Sequence, residues 1–432
     1  MCVENSLSFS PNSLVIDLMK NSLYSIIDLK ELTGLGHKSI SKAIHSGVLN
    51  ADKISNRWFV SEKEFKKWKD SGFKLENAVK LDLKEVERQK IINEIDIAKD
   101  FNSENSQRRF TYIDLFAGAG GISTGLQMAG GIGICALEIM PEACSTYRHN
   151  FSHPVLEEDI KLQSSKEKLY QVVDDFFRDS QTKGPVDIVS GGFPCQGFSM
   201  AGDRVVDDER NSLYNELKEI VHHLKPNYIF MENVVGLRTM LDGKVEEKIL
   251  QDFEEIGYQL QVKTLNSADY GVPQTRKRVI FIGNRIGKKN YHPMPIFSKD
   301  NYKTVRDAIS DLKNKDQTFC ENHIITRHNK EMIQRLKAII PGKSLYENFS
   351  DSWKRIEWDK PSCTIKENHG GVNVHPELGR VITPREMARL QSFPDTFKFK
   401  GAKKWQLVQL GNAVPPLMAK AIGLAILKGL NE

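Results

Sequence analysis

Apolar positions change their spacing along the chain, and the changes divide it. Ile26, Ile27, Leu29 and Leu32, then Ile40, Ala43 and Ile44, recur at helical spacing on either side of a break at Gly34-Leu35-Gly36. Residues 47–60 read as a short hairpin with Ser55-Asn56 at its tip, and Ser61 with Glu64 makes a capping box for a third helix that buries Phe65 and Trp68. Two helices, a glycine turn and a wing predict a small winged helix-turn-helix domain over 1–75, although a generic small helical domain fits the same pattern. Residues 82–98 predict a charge-rich amphipathic helix within a helical linker at 76–110, of which 102–109 is polar. Its apolar spacing does not sustain a heptad.

From Thr111 the rhythm becomes strand and helix in alternation. Tyr112–Phe116, Ile132–Leu137, Val186–Ser190, Tyr228–Met231 and Val279–Ile282 are short apolar runs separated by helical stretches such as Ser123–Met128. That alternation predicts an α/β fold with a mostly parallel, doubly wound sheet over 111–285. Residues 286–379 are polar and aromatic without a clear period and read as an inserted lobe. Helices return at Thr383–Leu390 and Pro416–Leu427, so 380–432 should complete the α/β domain.

Composition narrows the class without naming it. Hydrophobic residues make up 40% and charged residues 27% of 432 residues, which excludes disordered and collagen-like chains. No basic-then-apolar leader opens the sequence, and no uninterrupted apolar run approaches a membrane span. The net charge of +5 permits a polyanionic partner through a local patch without requiring one. Six cysteines without a C-x-x-C pair suggest reduced thiols, neither a disulfide scaffold nor a metal site.

Candidate chemistry gathers at the carboxyl ends of the predicted strands. The turn Phe116-Ala117-Gly118-Ala119-Gly120-Gly121 sits between the first strand and its helix, where such sheets bind nucleotide-like ligands. It departs from the dinucleotide fingerprint, whose third glycine would fall at Ser123. Glu138 lies 20 residues beyond Gly118, placed to grip ribose hydroxyls, and Asp159 closes the third strand in the same way. A nucleoside ligand without phosphates suits these acids. Phe193-Pro194-Cys195-Gln196 presents a thiol beyond another strand, and a thiol needs nearby cations to ionise at neutral pH. Gln274-Thr275-Arg276-Lys277-Arg278 offers them. Glu232 ends an apolar strand, which predicts an apolar setting and a raised pKa suited to proton exchange.

These residues, taken together, resemble the DNA (cytosine-5)-methyltransferases from Thr111 onward. The likeness rests on DLFAGAGG at 114–121, GGFPCQGFS at 191–199, ENVVGL at 232–237, QTRKRVIFIG at 274–283, RVITPREMARLQSFPD at 380–395 and GNAVPP at 411–416, in the family's order. The resemblance implies a Rossmann-like domain that holds S-adenosylmethionine through Phe116, Gly118, Gly120, Gly121, Glu138, Ile139, Asp159, Ile160, Pro194, Leu213, Asn412 and Ala413. It implies that the Cys195 thiolate adds to C6 of a flipped-out cytosine, with Glu232 at N3 and the exocyclic amine, Arg278 at O2 and Arg276 beside the thiolate. It makes 286–379 a target-recognition domain, and double-stranded DNA would be met by Gln196, Ser199, Arg210, Thr364, Ile365, Gly370 and Gly371. His323, Arg327, His328, Arg335 and Lys337 would add cationic or base-edge capacity, whereas Arg380, Glu386 and Arg389 fit structural pairing at the lobe junction.

No metal is implied. The enzyme would act in the bacterial cytoplasm as a monomer on its target site, within a restriction–modification system. Residues 1–75 lie outside the likeness and could bind the enzyme's own promoter, with His37-Lys38-Ser39 at phosphates and bases. A tRNA cytosine-5 methyltransferase, a non-catalytic DNA-binding regulator and a nicotinamide oxidoreductase remain as alternatives.

Overall fold

A computed structural model describes residues 23–33, 40, 44, 49, 51–54, 57–70, 93–102, 109–180, 184–194, 198–201, 204–207, 212–346, 353–366 and 373–432. The chain divides into two compact units, 1–92 and 93–432.

In the first unit, β1 (Leu23–Ser25) leads into α1 (Ile26–Thr33), and β2 (Asp52–Ile54) and β3 (Arg57–Ser61) precede α2 (Glu62–Asp70). The strands form an antiparallel sheet in the order β1-β3-β2, so the expected hairpin gains a third strand that the sequence pattern did not reveal. The Ser61 hydroxyl accepts the Glu64 amide at 3.3 Å, and Tyr24, Leu29, Leu32, Ile40, Ile44, Phe65 and Trp68 share one buried cluster. The glycine break and His37-Lys38-Ser39 lie outside the described residues.

The second unit opens with β4 (Asn93–Ile95) and α3 (Ala98–Phe101). Helix was expected through residue 98, but 93–95 is extended, and it pairs in parallel with β14 (Tyr291–Pro293). Between them run β5 (Phe110–Leu115), α4 (Gly121–Met128), β6 (Gly131–Glu138), α5 (Pro141–Asn150), β7 (Val155–Glu157), α6 (Gln163–Asp179), β8 (Ile188–Gly191), β9 (Phe198–Ala201), β10 (Arg204–Asp207), α7 (Ser212–Leu224), β11 (Tyr228–Val234), α8 (Lys244–Glu255), β12 (Gln259–Asn266) and β13 (Lys277–Asn284). The rest of the chain supplies α9 (Val305–Ile309), α10 (Lys330–Ala338), α11 (Pro384–Leu390), α12 (Lys403–Asn412) and α13 (Pro416–Asn431).

The main sheet has the order β12-β13-β11-β8-β5-β6-β7. Neighbours from β11 to β7 are parallel, while β13 runs antiparallel to both β11 and β12. Alternate residues serve the two faces: Tyr228 and Phe230 join Tyr112, Ile280, Met418 and Ile422, whereas Ile229 and Met231 join Ile113, Val279, Leu217 and Phe253. A sheet covered on both faces needs uninterrupted apolar strands, which is why these runs are visible in the sequence.

Lys403–Asn431 is apolar enough to cross a membrane by length and composition, although Lys420 interrupts its apolar run. Its most apolar window is 83% buried inside the protein, so it serves as core. A third cluster joins Val305, Ile309, Ile356 and Ile365 to Val381, Met387, Leu390, Phe393 and Leu410, and packing therefore runs without a break across residue 379. At that junction Arg380 grips buried Glu386 with two hydrogen bonds of 2.7 Å, and Arg389 pairs with Asp395 and Asp311.

Candidate active site

The glycine-rich turn needs glycine for space as well as for backbone angle. Gly118 and Gly120 have φ of +53° and +92°, and a Cβ at Gly118 would meet nothing within 4 Å. A Cβ at Gly121 would stand 2.3 Å from the carbonyl oxygen of Val414, so the GNAVPP segment closes directly onto this turn. Phe116 also has a positive φ of 55° and is half-buried. Glu138 anchors the turn: one carboxylate oxygen accepts the Gly118 amide at 2.8 Å, and the other accepts those of Ile139 and Met140.

The open side of the turn carries Ile139, which is 61% exposed, and the exposed Asn412. Asp159 is half-buried and accepts the Lys161 amide; Ile160 and Ala413 are buried, Leu213 is half-buried and Pro194 is exposed. Open space at Gly118 beside the Glu138 carboxylate leaves room for a ligand, and a carboxylate there disfavours one that carries phosphates.

Behind the turn lies a polar network that the sequence reading did not single out. Ser123, the residue that replaces a fingerprint glycine, donates to Asp114 at 2.6 Å and shares a 2.6 Å hydrogen bond with the Tyr147 hydroxyl. Ser190 donates to the other Asp114 oxygen at 2.9 Å, tying β5 to β8. Burial lifts the Asp114 pKa to about 7, with the serine hydrogen bonds opposing the rise.

At the carboxyl edge of β11, Glu232 pairs with Arg278, Nε to Oε1 at 2.7 Å. This corrects the apolar setting expected for Glu232. Arg278 stands opposite Val234 on the antiparallel neighbour and reaches Glu232 diagonally across the same face. A Cβ at Gly192 would lie 3.3 Å from Glu232, so Gly192, which precedes Phe193, stands beside this carboxylate. Asn233 fixes that loop by donating to the Phe193 carbonyl at 2.9 Å, a function the sequence reading missed although ENV had marked the position. Cys195, Gln196, Arg210, Gly370, Gly371 and the side chain of Ser199 lie outside the described residues.

Arg276 is 2% exposed and donates to the Ile365 and Gly411 carbonyls at 2.8 and 3.1 Å. Burial, reinforced by Arg278 and opposed by Glu232, lowers its pKa to about 9, so it stays cationic at neutral pH. Thr364 donates to the Thr275 carbonyl at 2.9 Å, and the two line a cavity of about 450 Å³ with Lys354, Glu357, Ser362 and Lys366. Two of the expected DNA-facing side chains are instead internal. Ile365 is buried in the third cluster, and His323 is fully buried against Thr383. Arg327, Arg335 and Lys337 are exposed.

The family model for C-5 cytosine-specific DNA methylases matches residues 110–428. The chain belongs to this family. It is a DNA (cytosine-5)-methyltransferase with the α/β methyltransferase fold. Among its relatives are the type II methyltransferase M1.HphI of Haemophilus parahaemolyticus, 41% identical over 74% of this chain and 87% of the relative, and M.DdeI of Desulfomicrobium norvegicum, 34% identical over 72% and 86%. A DNA modification methyltransferase encoded within a prophage (E. coli) has a similar structure, with a TM-score of 0.60 at 26% identity over 75% of this chain and all of that one. In this methyltransferase the glycine turn meets GNAVPP through Gly121 and Val414, and Glu232 meets Gly192 and Arg278, whereas 380–395 packs at the lobe junction.

Proposed function

We propose that this methyltransferase modifies C5 of a cytosine flipped out of a short duplex sequence, using S-adenosylmethionine, as the modification enzyme of a restriction–modification system. The observation that carries the reading is the Glu232–Arg278 pair beside Gly192, with only β8 between β11 and the strand β5 whose glycine turn Val414 closes. The type II methyltransferase names of its relatives support the restriction–modification context in a bacterial cytoplasm.

S-adenosylmethionine, when bound, supplies an electrophilic methyl group on sulfur. Gly118 would leave room for it, Gly120 and Gly121 let Phe151 and Val414 close on the turn, Phe116, Ile139, Ile160, Pro194, Leu213 and Ala413 would surround it, and Glu138, Asp159 and Asn412 would offer polar contacts. C5 of cytosine is a poor nucleophile until the ring loses its aromaticity. The Cys195 thiolate adds to C6, and the pair of electrons displaced makes C5 an enamine-like carbon. Glu232 would hold N3 and the exocyclic amine as charge builds on the ring, and Arg278, which pairs with Glu232, would hold O2. Once C5 has taken the methyl group, its donor being left as a neutral thioether, loss of the C5 proton would restore the C5–C6 double bond, break the C6–S bond and expel the Cys195 thiolate. Gln196, Ser199, Arg210, Thr364, Gly370 and Gly371 would meet the duplex, and Lys354 and Lys366 make the neighbouring cavity attractive to phosphates.

Bisulfite sequencing of plasmid from cells expressing the protein, beside a Cys195→Ser control, tests this. Protected cytosines in one short context, absent from the control, are expected. Complete conversion in both samples would overturn the DNA reading and favour tRNA. For the N-terminal unit, the reading is a winged helix-turn-helix that binds the enzyme's own promoter. It is supported by a buried core of its own and tested by a gel shift of the full chain on upstream DNA against the same chain lacking residues 1–75. Equal shifts would overturn it.

A further inference from the structure

Three buried polar side chains join the segment read as facing DNA to the segment read as facing the cofactor. Ile365 has both backbone polar groups occupied: its amide donates to Gln274 Oε1 at 2.8 Å and its carbonyl accepts Arg276 Nη1 at 2.8 Å. The same guanidinium donates through Nη2 to the Gly411 carbonyl at 3.1 Å. Gln274 Nε2 donates to Gln391 Oε1 at 2.9 Å, and Gln391 Nε2 donates to the Leu410 carbonyl at 2.6 Å. Two unbroken polar paths therefore run from Ile365 to the residues just before Asn412 and Ala413, one through Arg276 and one through the two glutamines.

The paths have little slack. Gln274 and Gln391 are 0% exposed and Arg276 is 2% exposed, so water cannot replace a broken link. The segment is also bonded like a strand to its neighbour, Thr275 amide to Ser362 carbonyl at 2.8 Å and Ser362 amide to Pro273 carbonyl at 3.0 Å. A shift of Thr364-Ile365 must move a hydrogen bond at the far end or leave a buried amide unpaired, and a buried unpaired amide is costly. Apolar side chains would fill the same space without transmitting anything.

Resting on the reading of the two ends given above, we propose that Gln274, Arg276 and Gln391 are positioning residues that couple DNA binding to cofactor binding. Contact of Thr364 with the duplex orders the backbone of Thr364 and buried Ile365 and so fixes Leu410–Ala413 against the glycine turn. Binding coupling is reciprocal, so each ligand tightens the other by the same factor.

The test uses the full chain and isothermal titration with S-adenosylhomocysteine, alone and with a duplex carrying the methylated site found by bisulfite mapping. The unmodified protein should bind S-adenosylhomocysteine about 5- to 150-fold more tightly with the duplex present, the usual span of such coupling. Gln391→Met and, separately, Gln274→Met should bring that ratio towards one while leaving affinity without DNA little changed. A purely structural role would weaken both affinities alike and keep the ratio. A wild-type ratio of one, or an unchanged ratio in whichever variants fold, overturns the coupling. Failure of the unmodified protein to bind S-adenosylhomocysteine at all would instead overturn the cofactor reading beneath it.

Discussion

A single methyl group at Gly121 tests how the cofactor end is closed. An ideal Cβ there lies 2.3 Å from the Val414 oxygen and 3.2 Å from its nitrogen. Ordinary non-bonded contact is about 3.5 Å, so Gly121→Ala forces the turn and the GNAVPP segment apart by roughly 1 Å. Both partners are backbone, and no side-chain rotation relieves the overlap. Overpacking of this kind costs about 1–3 kcal/mol, equivalent to roughly 5- to 150-fold in affinity if the binding conformation bears it. Gly125→Ala is the matched control. Its Cβ would meet Ala419 Cβ and the Pro416 oxygen at 2.4 Å, an overlap of similar severity one helical turn further from the ligand space. Titration with S-adenosylhomocysteine and calorimetric melting separate the two effects: both variants should melt earlier, but only Gly121→Ala should bind weakly. Equal affinity in the two, at equal Tm, would refute the claim that Val414 sets the cofactor site.

Other expectations follow from the same contacts. Glu232→Gln removes the charge that pairs with Arg278 and should lower methyl transfer by about 10²–10⁴-fold, measured by tritium incorporation into plasmid, with the fold intact by circular dichroism. Glu386→Ala leaves Arg380 buried without its carboxylate and should cost about 3–5 kcal/mol in urea unfolding. Burial works against ionisation of Glu386, yet Arg380 outweighs it and holds the carboxyl below its ordinary 4.5. The pair's stabilisation is therefore full above about pH 4.5 and drains as pH falls, so the gap between variant and wild type should narrow in acid. Asp114 behaves in the opposite sense. With its pKa raised from 3.8 to about 7, the folded state holds a proton that the unfolded chain has released, so this group lowers stability as pH rises through that window. Asp114→Asn should remove that slope, and parallel melting curves of variant and wild type from pH 4 to 7 would refute it.

The central strands were legible because burial on both faces leaves them continuously apolar. β4 and β14 were not, since each is three residues long and Asn93-Glu94-Ile95 carries too little apolar character to oppose a helical reading. Their pairing joins positions almost two hundred residues apart, beyond the reach of any local pattern. The candidate site divides in the same way. Gly118, Glu138, Glu232 and Arg278 stood out as candidates in local motifs, but the partner of Glu232 did not, because antiparallel register across β11 and β13 decides it. Arg276 looked like a cation beside a thiolate; two carbonyls that take up its donors are contributed by residues 89 and 135 positions away. His323 and Ile365 looked like surface because polar, aperiodic sequence around them hid a buried cluster.

The contact between Gly121 and Val414 also has a consequence in time. These residues are made 293 positions apart, which at roughly 5–20 residues per second is about 15–60 s of synthesis. During that interval Ile122 and Leu126 on α4, with Ala129 just beyond its end, await the helix, α13, that packs with them in one cluster. The growing polypeptide thus carries an apolar stripe that stays incompletely covered until α13 is made, and slow decoding near codon 400 would prolong the period in which chaperones or aggregation can claim it.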